Sequence, residues 1–525
     1  MGRKLVKQPL FTIVYLSFVL MIVAPIVYTI GTAFFSEKIG VELTQAFQGR
    51  TIFLLLKSSL IAAIIAFFST IIGTFLGFLL YKTKIPFQGF FKVSLLIPLL
   101  ISPYIFAVAW KDIFLFFFRD STILPSYLTC ILVMIIVFSP LAMLITGSAF
   151  MHINKQFEES ALMVTSFRKM ILKVILPLIK PSLISSFVLI FIFSISEFSV
   201  PALFGVKVFT TEIFTQFSAF YNHSMAILQS LLLILICVFL LYAERKHLAD
   251  LPFLSIGSKG SSSKIYVLKK GEFFSLSFLF LWLSVSMIFP VTILFIQSFK
   301  NGVGAFIQAF DLMMPTFIDS IALSFVAALL IVFVGFVAAF SASNKPDLRM
   351  GKSFNYLLLF VFAVPSTILG ISLIKFYNQP GLEMIYTTYA IILIAFVGKF
   401  SFIAAKIIGD ALKGYPKSLD EAARIAGATF SIRIRKILIP MILPVLFLAF
   451  MVAFIFSLGD LGTSIMLYPP GTELMPIKVF TIMANAPQDL INSMTLIVFL
   501  TTLILIIGLY MIAKLMIRKY NCAYD

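Results

Sequence analysis

Two carboxylates stand where chemistry would be conspicuous. Glu197 and Asp460 lie 263 residues apart, each at the end of an apolar run and each 20 residues beyond a proline, Pro177 or Pro440. At a rise of about 1.5 Å per residue, that places both about 30 Å past the proline, near the outer end of a membrane span. A charged side chain facing lipid costs roughly 2.5–3.5 kcal/mol at the bilayer centre and less near the interface. Both acids are therefore expected to face a protein interior. Two uses are open to them. Hard oxygen donors suit a metal such as ferric ion at an outer gate, or each acid caps the loop that follows, where Ser199, Thr463 and Ser464 are close by. A ligand site needs more oxygen donors than two, and no cluster supplies them, so no metal site is expected. Pro103 and Pro365 fall at matching places in the two halves. Prolines there break the helix ladder and free carbonyls to line a cavity, which makes them pathway markers.

The other polar residues carry less. His152 and His223 read as solvated or satisfied histidines, and Ser58, Ser59, Ser102 and Ser320 as helix-packing residues. Cys130 and Cys237 lie inside apolar runs and Cys522 in the tail. Their spacing fits neither a disulfide framework nor a zinc site. The phosphate-loop pattern Gly-x4-Gly-Lys-Ser/Thr is absent: Gly351-Lys352-Ser353 comes nearest, with Pro346 in the place of the first glycine. No nucleophile–base pair appears either. No catalytic residue and no cofactor is expected, and an enzyme is the least favoured class.

The elements that must position these residues are membrane helices. Hydrophobic residues make up 61% of the 525 and charged residues 12%, against about 25% charged in soluble domains. Twelve apolar runs are long enough to span: 10–35, 52–81, 88–110, 123–149, 177–200, 226–243, 272–298, 318–342, 353–376, 385–409, 440–459 and 493–516. The first is too long for a signal peptide, and no small-residue cleavage site follows it. The fold class expected is all-α, with about 12 transmembrane helices in two homologous six-helix halves. Adding 263 carries Glu158 onto Glu421, Phe167 onto Phe430, Lys173 onto Lys436, Pro177 onto Pro440, Pro181 onto Pro444 and Glu197 onto Asp460, without a gap. One fold used twice around a shared interface is a common design for a transport path. The halves are expected at 1–243 and 271–525. A cytoplasmic Gly/Ser/Lys linker, 244–270, joins them.

The net charge of +18 follows from topology. With Arg3, Lys4 and Lys7 in the cytoplasm and alternating spans, the outer side receives nine basic residues: Lys38, Arg50, Lys57, Lys111, Arg119, Lys207, Lys300, Lys375 and Lys478. The cytoplasmic side receives the other 31 of 40. That is the positive-inside signature, with both termini cytoplasmic. It leaves no basic surplus that asks for nucleic acid.

Two cytoplasmic loops repeat, at about 151–176 and 411–439. In the second, Ser418 and Glu421 form a capping box that predicts a helix start. Ala422, Ala423 and Ala426 give a small-residue surface, and Gly427 predicts the stop. A basic helix then leads back to Pro440. A short exposed helix of this kind, present in each half, is what a soluble partner would grip. The bland alternative is a solvated connection. A gradient-driven carrier would share the two-times-six layout but has no need of the paired loops.

Glu-Ala-Ala-x3-Gly followed by Leu/Ile-Pro resembles the "EAA" coupling loop of ABC importer permeases. The second half matches at Glu421, Ala422, Ala423, Gly427 and Pro440. The first half departs from it: Glu158, Glu159, Ser160 and Ala161 lead to Val164 in the glycine position. Ungapped, Glu158 is the motif acid; with a one-residue deletion it is Glu159, with Ser160-Ala161 for Ala-Ala. The stretches 96–110, 196–203 and 459–472 are similar to the fused permeases for ferric iron, thiamine and 2-aminoethylphosphonate. The resemblance implies a type I permease fold in the bacterial cytoplasmic membrane. It implies two separate ATPase subunits docking on the loops, an extracytoplasmic binding protein, and lipid around the spans. It points first to ferric iron as substrate, with thiamine, phosphonate, polyamine and sulfate as alternatives.

Overall fold

A computed structural model of the chain describes residues 9–35, 39–117, 123–248, 265–267, 271–344 and 349–524. Within these residues the secondary structure is helical, apart from turns and one isolated parallel β-bridge between Thr83 and Tyr266. The predicted linker stretch Gly257–Lys264, the N-terminal basic residues, Lys38 and Arg119 lie outside the described residues.

The first half is built from α1 (Leu10–Thr32), α2 (Gly49–Lys82), the bent pair α3 (Gln88–Leu100) and α4 (Pro103–Leu115), and α5 (Ser126–His152). The short α6 (Lys155–Val164) follows, then α7 (Phe167–Ser196), the short α8 (Phe209–Ser218) and α9 (His223–Ala243). The second half repeats the series. It has α10 (Glu272–Ser298), α11 (Gly304–Ser343), the bent pair α12 (Ser353–Ala363) and α13 (Ser366–Tyr377), and α14 (Ala390–Lys413). It continues with α15 (Lys417–Ile425), α16 (Phe430–Gly459), α17 (Met475–Ile482) and α18 (Gln488–Met516). Ten of these helices can each cross a membrane, and the two bent pairs bring the number to twelve. All twelve predicted runs are present. α11 and α16 begin at Gly304 and Phe430, ahead of the predicted runs at 318 and 440, and in α16 the added turns carry Arg433, Arg435 and Lys436.

The repeat holds at atomic detail. Both ends of α7 recur in α16 at an offset of 263. Four π-helical segments also recur, Val19–Val23 with Ser284–Ile288 and Ile171–Ile175 with Ile434–Leu438. Each ends two residues before a proline: Pro25, Pro290, Pro177 or Pro440. Proline has no N–H, and its ring clashes with the carbonyl four residues back; a wider turn relieves the clash. The carbonyl so freed by Pro25 is that of Met21. It accepts a hydrogen bond from the Tyr377 hydroxyl of the other half at 2.9 Å.

Within a half, α2 packs on α5 through glycines, as α11 packs on α14. A Cβ at Gly77 would meet Thr146 Oγ1 at 2.8 Å and the Met143 carbonyl oxygen at 3.1 Å. Close backbone approach of this kind is how helices pack where no hydrophobic drive separates them from lipid. Between the halves the first helices are exchanged: α1 lies on α13 and α10 on α4. Asp112 of α4 is buried there, accepting from Gln488 Nε2 at 2.5 Å and Asn492 Nδ2 at 2.6 Å of α18. One pseudo-symmetric bond pair fixes the short helices. Ser58 Oγ accepts the Phe209 N–H at 2.8 Å, and Ser320 Oγ accepts the Met475 N–H at 2.9 Å. These serines satisfy helix N-termini, a more specific task than the packing expected of them.

Candidate functional site

The two bends meet at a cavity of about 240 Å³ between the halves. α3 and α4 turn by 94° at Ile101-Ser102, and α12 and α13 by 103° at Val364-Pro365. Pro103 starts α4 and lines the cavity; Pro365 caps α13, and its neighbours Val364 and Ser366 line the wall. Both prolines therefore stand where a helix stops because the residue before proline is held extended. Glu197 and Asp460, the residues that close α7 and α16, line the same cavity. The structure thus brings the four predicted pathway residues to one place.

The bonding of the two acids is that of caps. Glu197 Oε1 accepts the Ser199 N–H at 2.9 Å and also the Ser199 hydroxyl. Asp460 Oδ2 accepts the N–H groups of Thr463 at 3.0 Å and Ser464 at 3.2 Å. These bonds satisfy the first turns of the short helices Ser199–Leu203 and Ser464–Leu467. The halves then diverge. Asp460 Oδ1 is bound at 2.6 Å by Lys399 Nζ of α14, which also donates to the Ser366 hydroxyl and, at 3.1 Å, to Thr463 Oγ1. The residue 263 earlier than Lys399 is Ile136, so the first half has no such cation. A second lysine of α14, Lys406, also lines the cavity. The rest of the wall is mainly apolar, with Ser102, Ser196 and Ser199 among its lining residues. Among the described residues no group of three or more His, Cys, Asp or Glu is arranged to hold a metal ion.

The predicted loops form the second part of the site. α6 starts after Asn154, whose Oδ1 accepts the Gln156 N–H at 2.9 Å. α15 starts after Pro416, and Ser418 makes no capping bond, which corrects the predicted capping box. Pro416 already sets the helix entry, so Ser418 falls inside the first turn. Gly427 does stop α15: its φ is +79°, and the next N–H, of Ala428, bonds the Ala423 carbonyl at 3.0 Å. With no glycine at the matching place, α6 runs on to Val164.

The two acids of the first loop have different surroundings. Glu158 is fully buried and bound to Lys82 Nζ at 2.6 Å. Glu159 is 39% exposed and pairs with Lys155 at 3.5 Å. In the second loop Glu421 is exposed, as are Ala422 and Gly427, while Ala423 is half-buried. Ser160 is exposed and Ala161 half-buried. α15 is tied to the start of α16 by Asp420 and Arg433 at 2.5 Å. Tyr266 lies beside the Glu158 carboxylate without a formed hydrogen bond. Burial first, and then that charge, pushes its hydroxyl pKa up.

Sequence reasoning missed Lys399, Lys82, Asp112 and Tyr266. Lys399 was readable, because a lysine inside an apolar run is costly and so marks an interior partner. Counting it among the loop-side charges hid it. The histidines are as expected: His152 bonds the Ser148 carbonyl at 2.8 Å, and His223 is exposed against Phe217. Cys130 and Cys237 are free and buried.

Residues 331–521 match the family described as binding-protein-dependent transport system inner membrane component. Over 482 residues the chain is 25% identical to a Haemophilus influenzae protein provisionally described as ferric transport system permease protein FbpB 1. That alignment covers 85% of this chain and 74% of the relative. It is 22% identical over 508 residues to the ferric transport system permease protein FbpB of Actinobacillus pleuropneumoniae, covering 90% and 73%. A Salmonella typhimurium protein provisionally described as the 2-aminoethylphosphonate permease PhnV is 24% identical over 200 residues, covering 38% of this chain and 75% of the relative.

Proposed function

We propose that this chain, which resembles ferric-type ABC importer permeases over most of its length and a phosphonate-type permease over 38% of it, is the whole membrane-spanning path of such an importer, with both halves fused. The observation that carries this reading is the repeated unit of short helix, π segment and long span. It occurs twice, with the π segments and long spans at an offset of 263 and the short helices within two residues of it, and each long span ends at the cavity between the halves. A carrier driven by an ion gradient needs no such pair of grips.

In this reading two separate ATPase subunits dock on the loops at 151–176 and 411–439, on the cytoplasmic side, and ATP hydrolysis belongs to them. Substrate arrives from an extracytoplasmic binding protein. Glu159, Ser160, Glu421, Ala422 and Gly427 present the docking surface, which their exposure supports. ATP-driven closure of the ATPases shifts the path between its two faces through differential binding energy. Ferric iron is the leading substrate, on the strength of the FbpB relatives. The cavity has no ligand cluster of its own among the described residues, which fits a path that conducts what the binding protein has selected.

The test is co-purification in detergent of a tagged chain with an ATPase subunit, with residues 418–427 intact or replaced by alanine. Capture by the intact chain and loss on replacement is the expected result. If neither form captures an ATPase, the loops are not coupling helices and the gradient-driven reading replaces this one. Glu421→Lys is expected to abolish uptake while leaving the protein folded.

A further inference from the structure

We propose that Glu158 is a positioning residue, an internal strut that locks the first coupling helix to α2, and that the acid this loop presents to its ATPase is Glu159. The inference rests on the permease reading above and resolves the ambiguity between the two acids.

Lys82 is the last residue of α2, and Glu158 lies in the first turn of α6. Their side chains are 2.6 Å apart and have no solvent exposure at all. A carboxylate so placed cannot touch another protein without breaking the pair, and breaking it would strand a charge inside the fold. Tyr266, from the segment between the halves, packs beside the pair. The Tyr266 N–H donates to the Lys82 carbonyl at 2.7 Å, and the Lys84 N–H donates to the Tyr266 carbonyl at 2.9 Å. The Tyr266 ring packs against Phe167, the first residue of α7, at 5.1 Å between centroids. Tyr266 belongs to the same small core as Phe150, Ile153, Met170 and Ile175. The first loop is thus held by α2, α7 and the connection between the halves at once.

The second loop is held otherwise. Glu421 is exposed, and α15 is tied by Asp420 to Arg433, at a surface where the two side chains are 43% and 17% exposed. Lys345, the offset counterpart of Lys82, lies outside the described residues. Counted from the helix start, Glu421 is the fifth residue of α15, and Glu159, not Glu158, is the fifth of α6. Helix position and exposure therefore both match Glu159 to Glu421. Numbering by the fixed offset matches Glu158, but α6 begins one residue later than the offset predicts.

The experiment uses the full chain with its ATPase and binding protein in proteoliposomes. It compares Glu158→Gln, Lys82→Met, the double variant Lys82→Met/Glu158→Leu, Glu159→Lys and Glu421→Lys. Each single change in the buried pair is expected to lower thermal stability and uptake. The double variant, which removes both charges, is expected to regain stability, keep its ATPase and recover uptake to within about threefold of wild type. Glu159→Lys and Glu421→Lys are expected to stay folded and lose ATPase affinity by roughly tenfold or more. A stable double variant that has lost its ATPase would overturn the strut assignment, as would Glu159→Lys binding the ATPase as wild type does. The second readout stands even if the double variant does not fold. A wild-type chain that captures no ATPase would overturn the permease reading itself, a different failure from either of these.

Discussion

Lys399→Met tests the charge arrangement at the cavity. In the folded protein the Asp460 side chain is 5% exposed and Lys399 18%. Loss of the ammonium removes the 2.6 Å partner of Oδ1 and leaves it the Thr463 hydroxyl at 3.3 Å, while Oδ2 keeps the N–H groups of Thr463 and Ser464. Breaking a fully buried ion pair from one side costs about 3–5 kcal/mol. Here the two backbone donors remain, and a cavity of about 240 Å³ has room for water beside the stranded carboxylate. The expected loss is therefore nearer 2–3 kcal/mol. Asp460→Asn keeps an oxygen for the two N–H groups and removes the charge, so Lys399→Met/Asp460→Asn should recover to within about 1 kcal/mol of wild type. The assay is denaturant unfolding in detergent across the full double-mutant cycle. A coupling energy below about 0.5 kcal/mol would mean that the pair is screened and contributes as little as a surface ion pair. The reasoning from burial would then be wrong.

Other perturbations reach other parts of the fold. Ser58→Ala and Ser320→Ala should each destabilise by about 1–2 kcal/mol, since each leaves one buried N–H unpaired. The two losses should be similar, because the bonds are 2.8 and 2.9 Å, and faster hydrogen exchange at Phe209 and Met475 reads them out. Gly77→Ala should cost about 1–3 kcal/mol by overpacking α2 against α5. Gly89→Ala, where nothing lies within 4 Å, should be neutral or slightly stabilising on the same unfolding curve. Gly427→Ala should cost about 1 kcal/mol from its positive φ. It should loosen α15 enough to weaken ATPase capture without unfolding the membrane helices.

The architecture was legible because its signals are local or periodic. Apolar run length marks each span, and a fixed offset of 263 carries Pro177 and Glu197 onto Pro440 and Asp460. The turn at Gly427 and the breaks at Pro103 and Pro365 follow from what glycine and proline permit in any chain. What escaped is pairing at a distance. Lys399 and Asp460 are 61 residues apart, and Lys82 and Glu158 are 76 apart. No local rule links them, and Lys82, one residue past the end of its apolar run, looks like a topology charge whether or not it is paired. The π segments escaped for a different reason. A proline inside an apolar helix predicts a disturbance, but whether the ladder breaks or widens depends on a neighbour for the freed carbonyl. At Met21 that neighbour is Tyr377, more than 350 residues away.

The same geometry constrains how a push on either loop reaches the cavity. α7 and α16 each run 30 residues, about 45 Å at 1.5 Å per residue, from the loop to the capping acid. A continuous helix transmits displacement along its axis well, and bends where its hydrogen-bond ladder is irregular. Each rod has one such place near its loop end, the π segment before Pro177 or Pro440. Beyond it the helices are continuous as far as Glu197 and Asp460, apart from Pro181 and Pro444 one turn later. A tilt of α6 or α15 would therefore be taken up at the π segment and delivered at the far end as movement of the capped turn. There the halves are unequal. The Glu197 side chain holds its own following turn and the Glu197 carbonyl accepts from the Thr210 hydroxyl of α8 at 3.1 Å, whereas Asp460 binds Lys399 of α14 and, through it, Ser366 of α13. Movement of α16 must carry α13 and α14 with it or break that network, whereas at Glu197 α7 is tied to the short α8 by a single neutral hydrogen bond. On the proposed permease function, Lys399→Met should raise the basal ATPase rate of the complex reconstituted with its ATPase, because the second rod is freed, while Ile136→Met at the offset position should leave the rate unchanged. Equal effects at both positions would show that the ion pair does not resist the motion.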